Sequence, residues 1–409
     1  MNEWKKVKLK DCCHSISDGD HLPPPKSNSG VPFVTIANID ATNHIDFGNT
    51  MFVPLEYYNN LNDIRKAKCN DILYSVVGSF GKPVLIKENI PFAFQRHIAI
   101  LRPNNEIADS RFLYYVMLTR DFFMQADTVA IGAAQRTISL TALRNMEVKL
   151  PSMETQYRIA SILSRYDSLI ENYQKQIKLL EEAAQRLYKE WFVDLHFPGH
   201  ENAKIVDGVP EGWEKKTIDD VTCKVTTGLN PRKNFVLGKG SNYYVTIKNM
   251  ADNTLFLDDR CDRVDNEALE KINKRSDLKI GDILFSGIGT IGRVALVYIP
   301  TNNWNVSESV FTLRVNDIVT KEFLYLMLLS PDMQNYCQSN AHGAAQKGIR
   351  MADLKAYSFN LPPFGVIQKF TNLVTPTIKK VSSIRNQIRL LTEARDRLLP
   401  KLMSGEIAV

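Results

Sequence analysis

The strongest constraint on the fold of this 409-residue chain is an internal repeat. Val34-Thr35-Ile36 recurs as Val245-Thr246-Ile247, and 245 − 34 = 211. The same offset of 211 residues relates Asp71-Ile72-Leu73 to Asp282-Ile283-Leu284, and Gly132-Ala133-Ala134-Gln135 to Gly343-Ala344-Ala345-Gln346. Because one offset holds for three separated blocks, the repeat spans a whole domain or more, without net insertion or deletion between the blocks.

Each repeat begins with a domain of mixed secondary structure that is rich in short β-type runs. Gly, Pro and Asn break these runs, which in the first copy are Val31 to Ile36, Asp71 to Val76, Pro83 to Ile86 and His97 to Leu101. A helix is predicted from Arg111 to Met124, and its counterpart from Glu322 to Tyr336. The domains end near Pro151 and Pro362-Pro363, so we expect two similar domains of α+β class.

After each closing proline the apolar residues step alternately by four and three, which is the a/d spacing of a coiled-coil helix. Adding the offset to the first seam gives a second in which only Thr377 and Arg395 depart from the apolar pattern. At ~1.5 Å per residue each helix would reach about 50 Å, which suits a spacer. The seams are Ile159, Leu163, Tyr166, Ile170, Tyr173, Ile177, Leu180, Ala184, Leu187 and Trp191, and Phe370, Val374, Thr377, Val381, Ile384, Ile388, Leu391, Arg395, Leu398 and Leu402.

An amphipathic stripe can also cover the core of its own domain. Two equal stripes on two repeats favour pairing of the helices with each other, as two long antiparallel coiled-coil helices about a pseudo-twofold axis. That pairing would set the two domains at opposite ends. The predicted division is a first domain (1–151), a first helical region (152–194), a linker rich in Pro, Gly and polar residues (195–212), a second domain (213–363) and a second helical region (364–409).

Composition permits a polyanionic partner without establishing one. The chain is 44% hydrophobic and 23% charged, as in ordinary globular proteins, and its net charge is +6. It has no run of eighteen apolar residues, and its first residues lack the apolar core of a signal peptide, so we expect a cytoplasmic protein. The six cysteines form no CxxC pair, which favours reduced thiols.

Three motifs suggest cofactor chemistry but do not support it. Gly287-Ile288-Gly289-Thr290-Ile291-Gly292 satisfies GxGxxG, yet a β-type run follows where a dinucleotide site needs a helix, so we predict a glycine-rich hairpin loop. A leucine interrupts the methyltransferase-like Asn360-Leu361-Pro362-Pro363-Phe364, and Pro83 after Lys82 excludes a Walker A loop. The histidines have no repeated metal-ligand spacing. No cofactor or metal site is predicted on this chain.

The order of domain, long helix, domain, long helix resembles the specificity subunits of type I restriction-modification systems, over nearly the whole chain. The matching residues are Asp71-Ile72-Leu73-Tyr74-Ser75 with Gly78-Ser79-Phe80-Gly81-Lys82, Asp282-Ile283-Leu284-Phe285-Ser286 with Gly289-Thr290-Ile291-Gly292-Arg293, Leu150-Pro151 with Gln156, and Leu361-Pro362-Pro363 with Gln368. The resemblance implies two target recognition domains and a non-catalytic subunit. It also implies that methyltransferase subunits bind the helices and that the chemistry directed is N6-adenine methylation.

This resemblance predicts a bipartite, asymmetric target on double-stranded DNA. The expected partners are two methyltransferase subunits and, in a larger assembly, restriction subunits, with S-adenosylmethionine, ATP and magnesium on those partners. One alternative keeps the fold but places the module in a type II-like or fused methyltransferase or nuclease system. Another is a coiled-coil scaffold whose end domains bind proteins.

Candidate DNA contacts fall into two groups. The shared loops offer Lys82 and Arg293 after glycine-rich turns, with Gln135-Arg136 and Gln346-Lys347, which suit phosphate or base contacts. These shared residues have an alternative role in stabilising the domain. Residues that discriminate between half-sites should lie where the copies diverge, namely Asp20-His21-Leu22, Lys26, Asn28, Arg96 and His97 against Asn230, Arg232, Lys233, Asn234, Glu308 and Ser309.

Two further sets complete the candidates. Tyr57, Tyr58, Tyr243 and Tyr244 either stack on a ligand or pack in the core. On the helices, the residues expected to take part in binding methyltransferase subunits are Tyr166, Tyr173, Leu180, Trp191, Ile384, Leu391 and Leu398.

Overall fold

The structure is a computed structural model that describes residues 4–40, 42–133, 135–251, 253–343 and 347–409. It divides into two compact units. Unit 1 is the chain up to Asn172 together with Arg389–Val409, and unit 2 is Tyr173–Ile388. Each unit therefore holds one β-rich domain and a part of both long helices. The domain boundaries drawn from the sequence, at 151 and 363, stay a prediction.

The described residues of the first repeat form nine strands and five α-helices. The strands are β1 (Lys5–Lys8), β2 (Cys13–Asp18), β3 (Val31–Val34), β4 (Met51–Val53), β5 (Ile72–Ser75), β6 (Pro83–Leu85), β7 (Ala93–Phe94), β8 (Ile98–Pro103) and β9 (Glu147–Leu150). The helices are α1 (Leu55–Asn60), α2 (Ser110–Leu118), α3 (Arg120–Val129), α4 (Leu140–Asn145) and α5 (Met153–Phe192).

The centre of unit 1 is an antiparallel sheet of order β2-β8-β5-β6, and a smaller sheet of order β4-β3-β7 covers one of its faces. Side chains of the central strands alternate between two cores, because successive residues of a strand point to opposite faces. Ile72 and Tyr74 join the helices α2, α3 and α5 in one core, whereas Leu73 and Ile98 join the smaller sheet in another. The strand pair β1-β9 closes the domain just before α5.

In the second repeat, the part of the chain that the structure describes forms thirteen strands and five α-helices. The strands are β10 (Ile205–Val206), β11 (Val209–Pro210), β12 (Glu214–Thr217), β13 (Thr222–Thr227), β14 (Asn242–Val245), β15 (Met250–Ala251), β16 (Thr254–Leu255), β17 (Asp262–Val264), β18 (Ile283–Ser286), β19 (Val294–Leu296), β20 (Trp304–Val306), β21 (Val310–Val315) and β22 (Ser358–Leu361). The helices are α6 (Asn266–Ser276), α7 (Lys321–Leu328), α8 (Pro331–Ser339), α9 (Met351–Lys355) and α10 (Phe364–Ser404).

Unit 2 repeats the arrangement of unit 1. Its central sheet has the order β13-β21-β18-β19, its smaller sheet the order β17-β14-β20, and β12 pairs with β22. The central strands again alternate, with Ile283 and Phe285 in the helix-side core and Leu284 in the core shared with the smaller sheet. The α+β class and the duplicated domain predicted from the sequence are confirmed.

The strands also show where the copies differ in length. β14 begins 211 residues after β3, since 242 − 31 = 211, but β13 begins 209 residues after β2, since 222 − 13 = 209. The second copy therefore has two additional residues between these strands. We call residues 19–30 of unit 1 and 228–241 of unit 2 the divergent loops.

The single helix predicted after the last central strand is wrong in both copies, because each is two helices. In unit 1, α2 ends at Leu118 and Thr119 caps α3 by accepting a hydrogen bond from the Phe122 amide. In unit 2, Ser330 caps α8, whose first residue is Pro331. A side-chain cap, and a proline that fits only the first helical turn, begin a new helix even inside an apolar run.

The long helices contact each other inside each unit. In unit 2 the ring centroids of Trp191 and Phe370 lie 5.7 Å apart, and Arg385 Nη2 donates to Glu181 Oε1 at 2.6 Å. From Glu181 to Trp191 the residue number rises along α5, while that of the contacted residue falls along α10 from Arg385 to Phe370. The two helices therefore run antiparallel in unit 2. In unit 1, Arg395 Nη1 donates to Asp167 Oδ1 at 2.7 Å. Coiled-coil packing along the full seam stays a prediction.

The segment predicted as a linker, 195–212, contains a short two-stranded hairpin of β10 and β11. Phe197 is buried in the core of unit 2 and lies 5.5 Å from the Trp213 ring. The segment thus packs on unit 2, which the absence of periodicity did not indicate.

Across the described ranges, no helix combines the length and apolar character that crossing a membrane requires. In the same part of the chain, His, Cys, Asp and Glu side chains form no group of three placed to hold a metal ion.

Candidate functional site

The glycine-rich motif of each copy forms the hairpin between two central strands, β5-β6 in unit 1 and β18-β19 in unit 2. A serine at the end of the first strand holds the turn together. Ser75 Oγ donates to the Ser79 carbonyl at 2.9 Å and accepts from the Lys82 amide at 2.9 Å, and Ser286 makes the same two bonds in unit 2. The predicted hairpin loop is confirmed, and the dinucleotide alternative is excluded by the strand that follows.

The cations that follow these turns point into their own domains. Lys82 Nζ donates to the Ile39 carbonyl at 3.3 Å, and Arg293 Nη1 donates to the Ile247 carbonyl at 3.0 Å and to Met250. The accepting carbonyls belong to equivalent short 3₁₀ turns, 36–38 and 247–249, and their flanks. This geometry favours the stabilising role over the phosphate contact for both residues.

A second shared loop docks on each hairpin. In unit 1 the Gly78 amide donates to the Arg136 carbonyl at 2.9 Å, and in unit 2 the Gly289 amide donates to the Lys347 carbonyl at 2.8 Å. The Arg136 guanidinium is ion-paired with Asp127 and lies 5.4 Å from the Phe80 ring centroid. Gln135 of unit 1 and Lys347 of unit 2 are exposed on these loops, whereas Gln346 lies outside the described residues.

The divergent loop of unit 1 is closed at its base by Asp20. Its carboxylate accepts hydrogen bonds from the Tyr57 hydroxyl and, at 3.2 Å, from Arg65. Partial burial opposes ionisation, but the Tyr57 hydroxyl, the amides of His21 and Leu22, and the Arg65 charge together lower the pKa of Asp20. Burial and the bond to Asp20 raise the pKa of Tyr57. Asp20 and Tyr57 thus support the loop rather than a ligand.

The divergent loop of unit 2 is closed by a different pair. Glu308 accepts from Asn230 Nδ2 at 2.6 Å and from the Tyr244 hydroxyl at 3.2 Å, and burial followed by the Glu308 charge raises the pKa of Tyr244. Subtracting 211 from Glu308 and Tyr244 gives His97 and Phe33, not Asp20 and Tyr57. The two copies therefore close equivalent loops with a carboxylate and a tyrosine from non-equivalent positions.

Several divergent candidates remain on the surface. Lys26 and Arg96 are exposed in unit 1, and Arg232 and Lys233 are exposed in unit 2. Among the residues that the structure describes, none forms an ion pair with these four. His97 is half-buried, and its carbonyl accepts from the Val76 amide at 2.9 Å. Within each unit the loop cations are therefore available to an anionic ligand.

Sequence reasoning missed Lys239, an exposed residue of the second divergent loop. It lies between Gly238 and Gly240, whose φ angles are +83° and +79°. A lysine between two glycines on a turn is a sequence signal for an exposed cation, because glycine allows the turn conformations that hold the side chain away from the surface.

The helix candidates are largely covered by the chain itself. Trp191 and Ile384 are buried, at 6% and 0% exposure, so their side chains are not available to another subunit in this structure. Half-buried are Tyr166, Tyr173, Leu180, Leu391 and Leu398. Four exposed leucines of the long helices lie outside the seam and were missed: Leu169 at 37%, Leu179 at 65%, Leu373 at 55% and Leu390 at 49%. Of these four, Leu179 and Leu390 are related by the repeat offset, since 390 − 179 = 211.

Comparison with known proteins gives a consistent result. The family model described as the type I restriction modification DNA specificity domain matches residues 1–182 and 210–388. The type I restriction enzyme MjaIX specificity subunit of Methanocaldococcus jannaschii is 28% identical over 305 residues, covering 73% of this chain and 69% of the relative. The HindI specificity subunit of Haemophilus influenzae is 24% identical, and the alignment covers both chains in full.

Among solved structures, the S subunit of a type I restriction-modification system from M. genitalium has a similar fold. The TM-score is 0.61 at 18% identity, with 98% of this chain and 96% of that one covered. The family model matches both repeats and most of the chain. The chain therefore belongs to the family of type I restriction-modification specificity subunits, which are recognition subunits and not catalytic ones.

Proposed function

We propose that this chain reads a bipartite, asymmetric target on double-stranded DNA, one half-site with each domain. The observation that carries the proposal is a shared framework with unlike loops. The hairpin serines, the inward-pointing cations Lys82 and Arg293, and the sheet order are common to both units. The divergent loops differ in length, in the pair that closes them and in their exposed cations.

The chemistry of the two loops supports different half-sites. The loop of unit 1 presents Lys26, with Arg96 exposed on the neighbouring β7-β8 connection. The loop of unit 2 presents Arg232, Lys233 and Lys239. Arginine can form bidentate bonds with guanine, whereas lysine and arginine both bind phosphate, so affinity would come from backbone contacts and discrimination from a few base contacts. Gln135 and Lys347 are further candidates on the shared loops.

The long helices would act as the spacer between the half-sites. In each unit α5 contacts α10, and in unit 2 the two helices run antiparallel, which supports a coiled coil along the predicted seams. Under this proposal, lengthening both helices by one heptad lengthens the nonspecific gap in the target. A gap of unchanged length in the methylated motif would contradict a spacer of fixed length.

The proposed partners are two methyltransferase subunits and, in a larger assembly, restriction subunits. S-adenosylmethionine, ATP and magnesium would be held by those partners, and the reaction directed would be N6-adenine methylation in the cytoplasm. We assign the methyltransferase contacts to the outer helix surfaces that carry Leu179 and Leu390. An exposed apolar side chain that recurs at the repeat offset fits one copy of the same partner on each repeat.

Methylome sequencing tests the proposal. Deleting the gene in its host is expected to abolish methylation at one split adenine motif, whereas an unchanged methylome in an active system would refute it. Replacing loop 19–30 together with Tyr57 and Arg65 by the corresponding residues of a relative should change one half-site and leave the other half and the gap unchanged. Loss of both halves would contradict independent reading.

Copurification separates this proposal from a type II-like or fused system. A separate methyltransferase chain present in two copies per specificity chain supports the type I arrangement. A single fused enzyme would support the alternative. The protein-binding scaffold is disfavoured, because the family model that matches both repeats is that of a DNA specificity domain.

A further inference from the structure

A polar trio interrupts the apolar contact between the long helices in unit 1. Arg395 occupies a seam position of α10 where the heptad pattern calls for an apolar residue. Its Nη1 donates to Asp167 Oδ1 of α5 at 2.7 Å, and the Tyr115 hydroxyl of α2 donates to Asp167 Oδ2 at 2.6 Å. The Asp167 side chain is only 16% exposed, so its charge is poorly solvated without Arg395, whereas Arg395 is 28% exposed and is also paired with Asp396 at 2.8 Å.

The equivalent positions of unit 2 are all apolar. Adding 211 to Tyr115 and Asp167 gives Leu326 and Ile378, and subtracting 211 from Arg395 gives Ala184. These three residues are buried in the same apolar cluster, with exposures of 3%, 7% and 6%. At this equivalent contact, unit 1 thus has three polar side chains and unit 2 has three apolar ones.

A second ion pair has the same asymmetry. Arg385 Nη2 of α10 donates to Glu181 Oε1 of α5 at 2.6 Å in unit 2. The positions 211 residues away are Thr392 and Gln174, which carry no charge. Both charged contacts therefore combine an acid on α5 with an arginine on α10.

These pairs matter because the two helices are similar enough to exchange partners between copies of the chain. Two α5 helices paired in the same antiparallel register would place each Asp167 against Ala184. Two α10 helices would place each Arg395 against Ile378. Arg395 keeps Asp396 as a counter-charge in any pairing, but Asp167 loses its arginine in an α5–α5 pair. Leaving a partly buried charge without its counter-charge typically shifts an equilibrium by roughly a hundredfold. Only an α5–α10 pair gives Asp167 its arginine.

We propose that the Tyr115–Asp167–Arg395 trio selects unlike helices for pairing, so that α5 associates with α10 and not with the α5 of a second copy. The partner discriminated against is another molecule of this same chain in a like-with-like arrangement. The inference stands on contacts within the units and does not depend on the proposed DNA target.

The test converts the trio to the residues of unit 2. The full-length variant Tyr115→Leu, Asp167→Ile, Arg395→Ala is mixed as ¹⁴N and ¹⁵N chains, denatured, refolded together and treated with a lysine cross-linker. Lys175 and Lys178 would be adjacent in an α5–α5 pair, so a mixed-isotope Lys175–Lys178 cross-link reports that pair. We expect this cross-link to rise about tenfold or more over wild type. The charge-reversed control Asp167→Arg, Arg395→Asp, which keeps an unlike pair, should stay at the wild-type level.

An unchanged cross-link in the triple variant, or an equal rise in the control, would overturn the proposal. A second measurement covers the case in which the triple variant does not fold. Asp167→Arg chains and Arg395→Asp chains each carry like charges at the contact, but two complementary chains restore both ion pairs by exchanging helices. Refolding the two together should give a heterodimer in light scattering that neither gives alone. Mixing chains with Lys178→Glu and Glu182→Lys, an exposed pair on α5, should give none. A mixture of the Asp167 and Arg395 variants that stays monomeric would refute partner selection.

Discussion

Replacing Asp71 by alanine is expected to loosen one domain and leave the other intact. The Asp71 side chain is 3% exposed and accepts two bonds from Arg102, from Nε at 3.1 Å and from Nη2 at 2.9 Å. It also accepts from the Lys68 amide at 2.8 Å. Unit 2 repeats the arrangement, with Asp282 bound to Arg314 at 2.7 and 2.8 Å. The shared aspartates at the start of β5 and β18 are therefore structural.

The magnitude follows from what the mutation leaves behind. Removing one member of a buried ion pair costs about 3–5 kcal/mol. The Arg102 side chain is 22% exposed and retains a bond to the Lys66 carbonyl, so water and that carbonyl recover part of the loss. We expect the low end, about 3 kcal/mol. Since about 1.4 kcal/mol corresponds to a tenfold change, opening of the first domain should become over a hundredfold more frequent.

Hydrogen–deuterium exchange followed by mass spectrometry measures this separately in each unit. In Asp71→Ala, the backbone amides of residues 72–75 and 98–102 should exchange about a hundredfold faster, and those of Ile283–Ser286 should stay within about threefold of wild type. Asp282→Ala is the matched control and should reverse the pattern. A change below tenfold in the first domain, or equal acceleration in both domains, would refute the reasoning.

Three further predictions concern the loops and the helix contact. The double variant Arg232→Ala, Lys233→Ala should lower the slope of log K for DNA binding against log salt concentration by about 1.8 if both side chains bind phosphate. Fluorescence anisotropy of DNA that contains the methylated motif, with the assembled enzyme, measures the slope. The control Lys178→Ala should leave it unchanged. Lys82→Met should lower the free energy of unfolding by about 1 kcal/mol in urea titrations without altering that slope, and a lower slope would restore the phosphate-contact interpretation. The hydrogen bond to Glu171 raises the pKa of His44, and bonds from His44 and Lys87 lower that of Glu171 to about 2, with Asp40 also nearby. The stability that His44 contributes is therefore complete below its unfolded pKa of 6.5 and declines as pH rises through its higher folded pKa. The free energy of unfolding of wild type should exceed that of His44→Gln by a larger margin at pH ~5.5 than at pH ~8.5. An equal margin at the two pH values would contradict this.

The sequence predicted the features that follow from its repeat and from the spacing of its apolar residues. The repeat and the mixed class are confirmed by the structure, because they follow from an exact offset and from an alternating pattern that the buried strands require. The long helices begin at Met153 and Phe364, close to Pro151 and Pro362-Pro363, after which they were predicted to start. The division after Thr119 was not foreseen, because a threonine inside an apolar run indicates a cap only when the chain is seen to turn there.

The site was predicted less completely, since side-chain direction is not encoded in spacing. Lys82 and Arg293 follow glycines, as cations of phosphate loops do, yet both point to carbonyls of their own domains. Asp20 and Glu308 were identified as divergent residues, which they are, but their hydroxyl and amide partners lie far away in sequence. Lys26, Arg96, Arg232 and Lys233 stay predictions supported by exposure.

The two divergent loops are closed by residues at non-equivalent positions, and this bears on how recombination between related genes changes the loops. Tyr57 and Arg65 are encoded between the hairpin motif and the loop that they hold through Asp20, and in the other unit Glu308 and Tyr244 both lie downstream of their loop. A gene crossover at the hairpin motif would carry loop 19–30 away together with Tyr57 and Arg65, but it would separate loop 228–241 from Glu308, which lies beyond the motif. The first loop is then inherited with its supporting residues, whereas the second loop requires a crossover beyond Glu308.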